Sequence, residues 1–159
     1  RIHRSNVLVQ IFGFLNVTDI FKGELPDLVE EGFAYDSITV MGSFQGDKLV
    51  VSEAIVDGQS MQIFAEGNVN LTDKTLDFTV AVAPLKTIDF IVSKIPLVNY
   101  ILGGTLISIP MSVKGDWGDP KVTGLSASGV GSGLMGIIER TVKLPVKLIE
   151  PLAPEEKKK

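Results

Sequence analysis

The residues of this chain that could carry out chemistry are mainly aspartates in or near predicted turns. Four of them have carboxylates that could act in catalysis or bind a metal ion: Asp73, Asp77, Asp116 and Asp119. Completing such a site would call for histidine or cysteine, but the chain has no cysteine, and its one histidine is His3. Aspartate is also common in turns, because its carboxylate hydrogen-bonds the local backbone. The sequence therefore predicts no catalytic residue, no metal site and no cofactor, and we expect a protein that is not an enzyme.

A glycine-rich segment, "GVGSG" at residues 129–133, is the second feature that could hold a ligand. A phosphate-binding loop would be followed by a Lys–Ser/Thr pair and would follow directly from a strand, and this segment meets neither condition. We interpret residues 126–133 as a small-residue linker that can also start a helix. Together with Gly136, its glycines would make the start of that helix mobile.

The composition narrows the class of protein further. A length of 159 residues fits one domain with a real core. The net charge is −4, so the chain has no global basic field with which to bind nucleic acid. The mean hydropathy of +0.30 is high for a domain without a membrane span. The chain begins at Arg1 with no signal-peptide pattern, and we expect it to be a piece of a longer protein.

The most apolar window of the sequence, residues 88–110, does not have the pattern of a transmembrane helix. Charges and helix breakers interrupt it at Asp89, Lys94, Pro96 and the Gly103–Gly104 pair. We therefore place its apolar residues in a helix over residues 87–102 and in the strand that follows. A helix that is apolar almost all round is normally buried, so we expect it to be a buried cap on the sheet. The alternative is that it contacts both the sheet and a second apolar partner.

Alternation of apolar and polar residues predicts an antiparallel meander between residues 35 and 82, because turns of two to four residues join the strands. Each predicted strand has one strongly apolar face and one small, polar face, which suits a sheet with one side toward water. "TLISIPMSVKGDW" continues the alternation, and "GDPKVT" adds a turn and a short last strand.

The sequence as a whole predicts an α+β fold. We expect a curved antiparallel β-meander of about five to six strands, with an N-terminal helix over residues 5–17. A central helix would be inserted after strand four, and an amphipathic helix would lie at the C-terminus. By this interpretation residues 1–125 form the α+β domain, and residues 155–159 a disordered tail. Residues 126–154 form the C-terminal helix, which is either part of the same domain or peripheral to it.

Residues 5–125 resemble the C-terminal region of AsmA-like proteins. The order and spacing of five short motifs carry the resemblance: "FLNVTDIF" at 14–21, Tyr35–Asp36, a "G-x-hydrophobic-x-Leu" strand at Gly67–Leu71, "V-x-P" at Val82–Pro84, and "G-x-W-x-x-P-x-hydrophobic" at Gly115–Val122.

The resemblance implies a bridge-like intermembrane lipid transport protein of a diderm bacterium. Such proteins are anchored in the inner membrane and cross the periplasm as a long curved β-groove lined with apolar side chains. Phospholipid acyl chains are the implied cargo, and they would move along the groove toward the outer membrane. This chain would be the far end, which lines or caps the groove and docks at the outer-membrane surface or at an envelope protein partner. A structural or adaptor domain for outer-membrane biogenesis, with no lipid bound, is the alternative.

The apolar faces of the predicted strands supply the residues that would meet acyl chains. A lipid track needs a continuous apolar surface, because each buried CH₂ contributes about 0.8 kcal/mol. The candidates are Ile38, Val40, Phe44, Met61, Ile63, Phe78, Val80, Ile107, Ile109 and Met111. An alternating apolar face is also what ordinary core packing produces, and in that alternative the helices of the chain cover these residues.

The predicted C-terminal helix combines an apolar stripe with basic residues, a pattern typical of helices that lie on anionic membranes. The membrane-surface candidates are Leu134, Ile137, Ile138, Arg140, Lys143 and Lys147. Packing of the same stripe on the domain is the alternative, because Glu139 and Glu150 dilute the positive charge. Trp117 could anchor at a membrane interface or pack at the rim of the sheet.

Overall fold

The computed structural model describes residues 34–58, 61–84, 106–142 and 146–148, together with Val7, Gln10, Ile11 and Gly13. From residue 34 onward, the described chain forms seven strands, one 3-10 turn and one α-helix: β1 (Tyr35–Gln45), β2 (Lys48–Gly58), β3 (Met61–Asn70), β4 (Thr75–Pro84), β5 (Leu106–Asp116), β6 (Lys121–Gly124), a 3-10 turn (Ala127–Gly129), α1 (Ser132–Val142) and β7 (Val146–Leu148). The helix predicted over residues 87–102 and the tail at 155–159 lie outside the described residues.

The predicted antiparallel meander is confirmed. Strands β1 to β6 lie in sequence order, and each pairs antiparallel with the next. The β1–β2 turn has two residues, and Gly46 at its first position has a φ of +63°. A glycine with positive φ at this position is characteristic of a type II′ turn, whose twist matches that of the strands.

The prediction of a single C-terminal helix through residues 126–154 is wrong. Helix α1 ends at Val142, and Val146–Leu148 form β7, which runs parallel to β5 with Leu106 opposite Val146. Pro145 explains the change, because proline disfavours helical geometry in the residue before it and has no N–H for a helical hydrogen bond. Lys147 therefore lies in a strand, and Lys143 lies outside the described residues.

The register of the strands defines two faces of the sheet, because directly opposed residues on neighbouring antiparallel strands share a face. Face A carries a row that runs through Ile38, Val56, Ile63, Val82 and Ile109. Face B carries the next row along the strands, which runs through Thr39, Ile55, Phe64, Ala81 and Pro110.

Each face is covered over part of its area. On face A the side chain of Ile11, a helical residue near the start of the chain, is buried in the core, and Val7 packs against the same core. These residues and Gln10 and Gly13 are the described part of the predicted N-terminal helix, and all four are helical. On face B, α1 buries Phe64.

The expectation that one side of the sheet faces water is therefore wrong for the part of face B under α1. There Phe64, Ala81 and Ala83 are buried against the helix. Further along the strands the same face carries polar side chains such as Asp77 and Lys114, whose side chains are more than half exposed. Alternation assigned Phe64 to the second face, but it could not show that a helix covers that end.

An extra residue in β2 interrupts the pairing of three strands at one level. The register shifts between Met41 and Gly42 in the β1–β2 ladder, and between Val51 and Ala54 in the β2–β3 ladder. Ser52 has no partner in either ladder, so it is the bulge residue. Its hydroxyl donates a hydrogen bond of 3.2 Å to the carbonyl of Met41. A bulge bends its strand and increases the local twist.

Candidate functional site: an apolar face exposed along one edge

Of the four aspartates considered as possible chemical groups, three have carboxylates with a bonding partner, and Asp73 is bonded through its backbone N–H. Asp77 forms an exposed ion pair with Lys114 at 3.3 Å. The other three lie at turns of the sheet: the Asp73 N–H donates to Asn70 Oδ1, Asp116 Oδ1 accepts from the Gly118 N–H, and Asp119 Oδ1 accepts from Gln10 Nε2. The described residues contain no group of three or more His, Cys, Asp or Glu that could hold a metal ion.

The strand register brings the lipid-facing candidates together on face A. Ile38, Ile63 and Ile109 lie in one row, and the remaining described candidates lie two or more residues away along the same strands, which keeps them on the same side. They are Val40, Phe44, Met61, Phe78, Val80 and Met111. The side chain of Ile107 is outside the described residues.

Burial divides these candidates into two groups, except for Phe78, which is half-buried. The central ones are core residues: Met61, Ile63, Val80, Ile109 and Met111 are buried. The candidates on β1 are exposed, with relative exposures of 44% for Ile38, 60% for Val40 and 72% for Phe44. Face A is therefore an apolar surface whose middle is covered and whose β1 side is open to solvent.

An apolar pocket of about 230 Å³ lies on the covered part of face A. All eight residues that line it are apolar: Val7, Ile11, Ile63, Ala65, Leu76, Phe78, Val80 and Val113. Such a space offers water no hydrogen-bond partner from these side chains, so it favours hydrocarbon over water. It is smaller than the roughly 300–1,000 Å³ of a site that encloses a whole small molecule.

A second depression, of about 380 Å³, lies where the bulge residue Ser52 meets β3 and β4. Its lining mixes the carboxylates of Glu66 and Asp77 with Asn68, Thr79 and the valines of β2. It is more open than the face A pocket, so it gives little shelter from water. Nothing in its lining suits an acyl chain as well as face A does.

The three apolar membrane-surface candidates form the inner side of α1. Leu134, Ile137 and Ile138 are buried against the sheet, with relative exposures of 0%, 2% and 0%. Arg140 is exposed and donates a hydrogen bond of 2.8 Å to Glu53 Oε2 on β2. This arrangement matches the alternative in which the stripe packs on the domain, because a helix cannot bury the same side chains in both the sheet and a bilayer.

The approach of α1 to β3 depends on small residues before and within its first turn. A Cβ added to Gly133 would collide with Oε2 of Glu66, and one added to Gly131 would lie 3.3 Å from Glu66 Oε1. The carboxylate of Glu66 thus occupies the space beside the start of the helix. The glycines that suggested a mobile linker therefore permit close packing against β3. Sequence reasoning missed the roles of Glu66 and Glu53, since no local pattern pairs them with a helix so distant along the chain.

Three hairpin turns meet at one end of the sheet. The Leu71 N–H donates to the Asp47 carbonyl at 2.9 Å, and the Trp117 N–H donates to the Lys74 carbonyl at 3.0 Å. Trp117 is 44% exposed, which places it at the rim and not in the core.

Within the described part of the chain, no helix combines the length and apolar character needed to cross a bilayer. Comparison of the chain with family models, with curated proteins and with solved structures finds no match.

Proposed function

We propose that this chain is the C-terminal domain of an AsmA-like intermembrane lipid transport protein, and that face A holds phospholipid acyl chains. The observation that carries the proposal is that the apolar surface of face A continues past its cover onto Ile38, Val40 and Phe44. Exposed apolar surface that continues a core is typical of a site for another apolar molecule. The resemblance of residues 5–125 to the AsmA-like pattern agrees with hydrocarbon as that molecule.

In this proposal the sheet is a curved support for the lipid. The bulge at Ser52 bends β2, and Gly42 and Gly67 lie at the same level on the two neighbouring strands. Added Cβ atoms at both glycines would collide with backbone atoms of the next strand, so the strands are locally close. Glycines and bulges at one level are the usual means of curving a sheet. An acyl chain would lie along the β1 side of face A and reach toward the apolar pocket beside Phe78.

Binding and movement of lipid require no reacting group, so the mechanism is one of solvent exclusion. Each methylene moved from water onto face A contributes about 0.8 kcal/mol, and the charged headgroup stays in water. The domain would act in the periplasm as part of a parent protein anchored in the inner membrane. It would line or cap the end of the groove, at the outer-membrane surface or against an envelope protein.

A structural or adaptor role without lipid is the second candidate. The burial of Met61, Ile63, Val80 and Met111 within the core of the chain favours it, because these residues need no lipid to be removed from water. The two proposals differ in what contacts the exposed part of β1.

Site-specific photo-crosslinking separates the two candidates. A benzoyl-phenylalanine probe is placed at Val40 on face A, or at its neighbour Thr39 on face B as the matched control, since both side chains are exposed. Each protein is irradiated with vesicles of phosphatidylethanolamine and phosphatidylglycerol, and lipid adducts are measured by mass spectrometry. The lipid proposal predicts phospholipid adducts at Val40 and few at Thr39. Equal adducts at both positions, or none at either, would reject it in favour of the adaptor role.

A further inference from the structure

The two edges of the sheet differ in how they are protected from pairing with another strand. Along the outer side of β5, β6 has four residues and β7 has three. Pro110 lies in β5 between the parts that pair with them, and its carbonyl accepts a hydrogen bond from the Leu125 N–H at 3.2 Å. Short edge strands, proline and lysines such as Lys121 are the usual protections of a free edge.

The β1 edge has little of this protection. β1 has eleven residues, contains no proline or lysine, and carries one charge, at Asp36. Within the described residues its only strand partner is β2. Four of its large apolar side chains are exposed, and they lie on both faces: Ile38, Val40 and Phe44 on face A, and Met41 on face B. Three exposed apolar side chains on face A and a fourth on face B make β1 more apolar than a protected free edge usually is.

We propose that β1 pairs antiparallel with β1 of a second copy of this chain, with Met41 on the two-fold axis. From Ser37 to Gln45 every residue of β1 has a partner on β2, because the bulge residue Ser52 belongs to β2. Pairing centred on Met41 places Ile38 of each copy opposite Phe44 of the other. Aromatic residues opposite β-branched residues form stabilising cross-strand pairs.

The same register matches the polar side chains of face B. Thr39 falls opposite Ser43 of the second copy, and Ser37 falls opposite Gln45, so polar groups meet polar groups. Val40 falls opposite Gly42, which leaves room for its side chain. Each residue meets a residue of the same face, so face A continues without a break from one copy to the other.

Charge selects the antiparallel direction. In a parallel pairing in register, Asp36 would lie beside Asp36 of the second copy, and like charges directly opposite each other destabilise a sheet. In the antiparallel pairing the two Asp36 carboxylates lie roughly 30 Å apart along the strands, at about 3.3 Å per residue. No other charge lies on β1.

Cysteine crosslinking tests the register directly, since the natural chain has no cysteine. Met41→Cys places a thiol on the proposed two-fold axis, where opposed Cα atoms at about 4.5–5.5 Å permit a disulfide. Leu71→Cys is the control, because Leu71 is also an exposed apolar residue but lies in the β3–β4 turn. We expect disulfide-linked dimer to form about tenfold faster or more in Met41→Cys, because the dimer holds the thiols at high effective concentration.

A matched pair of lysine substitutions tests the contact energetically. Phe44→Lys removes both Phe44–Ile38 pairs of the dimer, whereas Leu71→Lys makes the same kind of change at an exposed residue that is not part of β1. Sedimentation of lipid-free protein should show a dimer whose dissociation constant rises about tenfold or more in Phe44→Lys and is unchanged in Leu71→Lys. Circular dichroism checks that both variants are folded.

Three results would overturn the proposal. The first is a lipid-free chain that sediments as a monomer at every concentration measured. The second is a dimer whose dissociation constant is unaffected by Phe44→Lys. The third is an equal rate of disulfide crosslinking at positions 41 and 71. If the chain is a monomer and the β1 amides are protected from hydrogen exchange only when lipid is added, the edge binds lipid and not a second copy. These experiments use lipid-free protein, so their failure is distinct from failure of the proposed lipid site.

Discussion

Phe78 on β4 lies directly opposite Gly67 on β3, and a Cβ added to Gly67 would lie 2.9 Å from Cγ of the Phe78 ring. The same atom would lie 2.7 Å from the Phe78 Cα, so the backbones of the two strands also approach closely. Glycine is therefore required where the ring and the neighbouring strand come together. The ring of Phe78 then forms part of the wall of the face A pocket, and Gly67 shapes that pocket without lining it.

Replacing Gly67 with alanine should destabilise the fold. The added methyl group has no space between β3 and Phe78, so we expect the free energy of unfolding to fall by about 1–3 kcal/mol. Urea unfolding followed by circular dichroism measures the change. Gly13→Ala is the control, because Gly13 is helical and a Cβ there meets nothing within 4 Å. The control should be neutral or stabilising by up to about 1 kcal/mol. Equal effects of the two substitutions would contradict the close approach at Gly67.

Truncation of Ile138 tests whether α1 is part of the core. Ile138 is fully buried against the sheet, so Ile138→Ala should lower the free energy of unfolding by about 2–4 kcal/mol. The neighbouring substitution Glu139→Ala, at an exposed position, should stay within about 0.5 kcal/mol of the wild type. A loss of vesicle binding in Ile138→Ala with unchanged stability would instead mean that this side of α1 faces a membrane.

The affinity of the domain for single-chain phospholipids should increase with the length of the chain. Each added CH₂ that reaches face A should strengthen binding by about 0.8 kcal/mol, or roughly fourfold, until the apolar surface is filled. Titration calorimetry below the micelle concentration gives the slope. Val40→Ser should reduce the affinity, and Thr39→Ser, on the opposite face of the same strand, should leave it unchanged. An affinity independent of chain length would argue against an acyl-chain site.

Local patterns were sufficient to predict the meander and the membership of its apolar face. Alternation has a period of two residues, so it assigned Ile63 and Phe78 to one side and Phe64 to the other before any contact was known. Turn residues such as Gly46 mark where one strand ends, because their backbone geometry is needed for a tight hairpin. These properties depend only on residues close together in the chain.

Tertiary structure alone decided which of these residues are buried by other segments of the chain. Phe64 and Ile138 are buried because α1 packs on β3 more than sixty residues away in sequence, and Phe44 is exposed because β1 is an edge. A proline at position 145 is a local reason for the helix to stop, but the formation of a strand by Val146–Leu148 depends on pairing with β5, some forty residues earlier. The sequence by itself determined the direction in which each strand side chain points, since backbone geometry sets it locally. The fold decided which of these side chains are covered by other segments, because burial depends on contacts between segments that are distant in sequence.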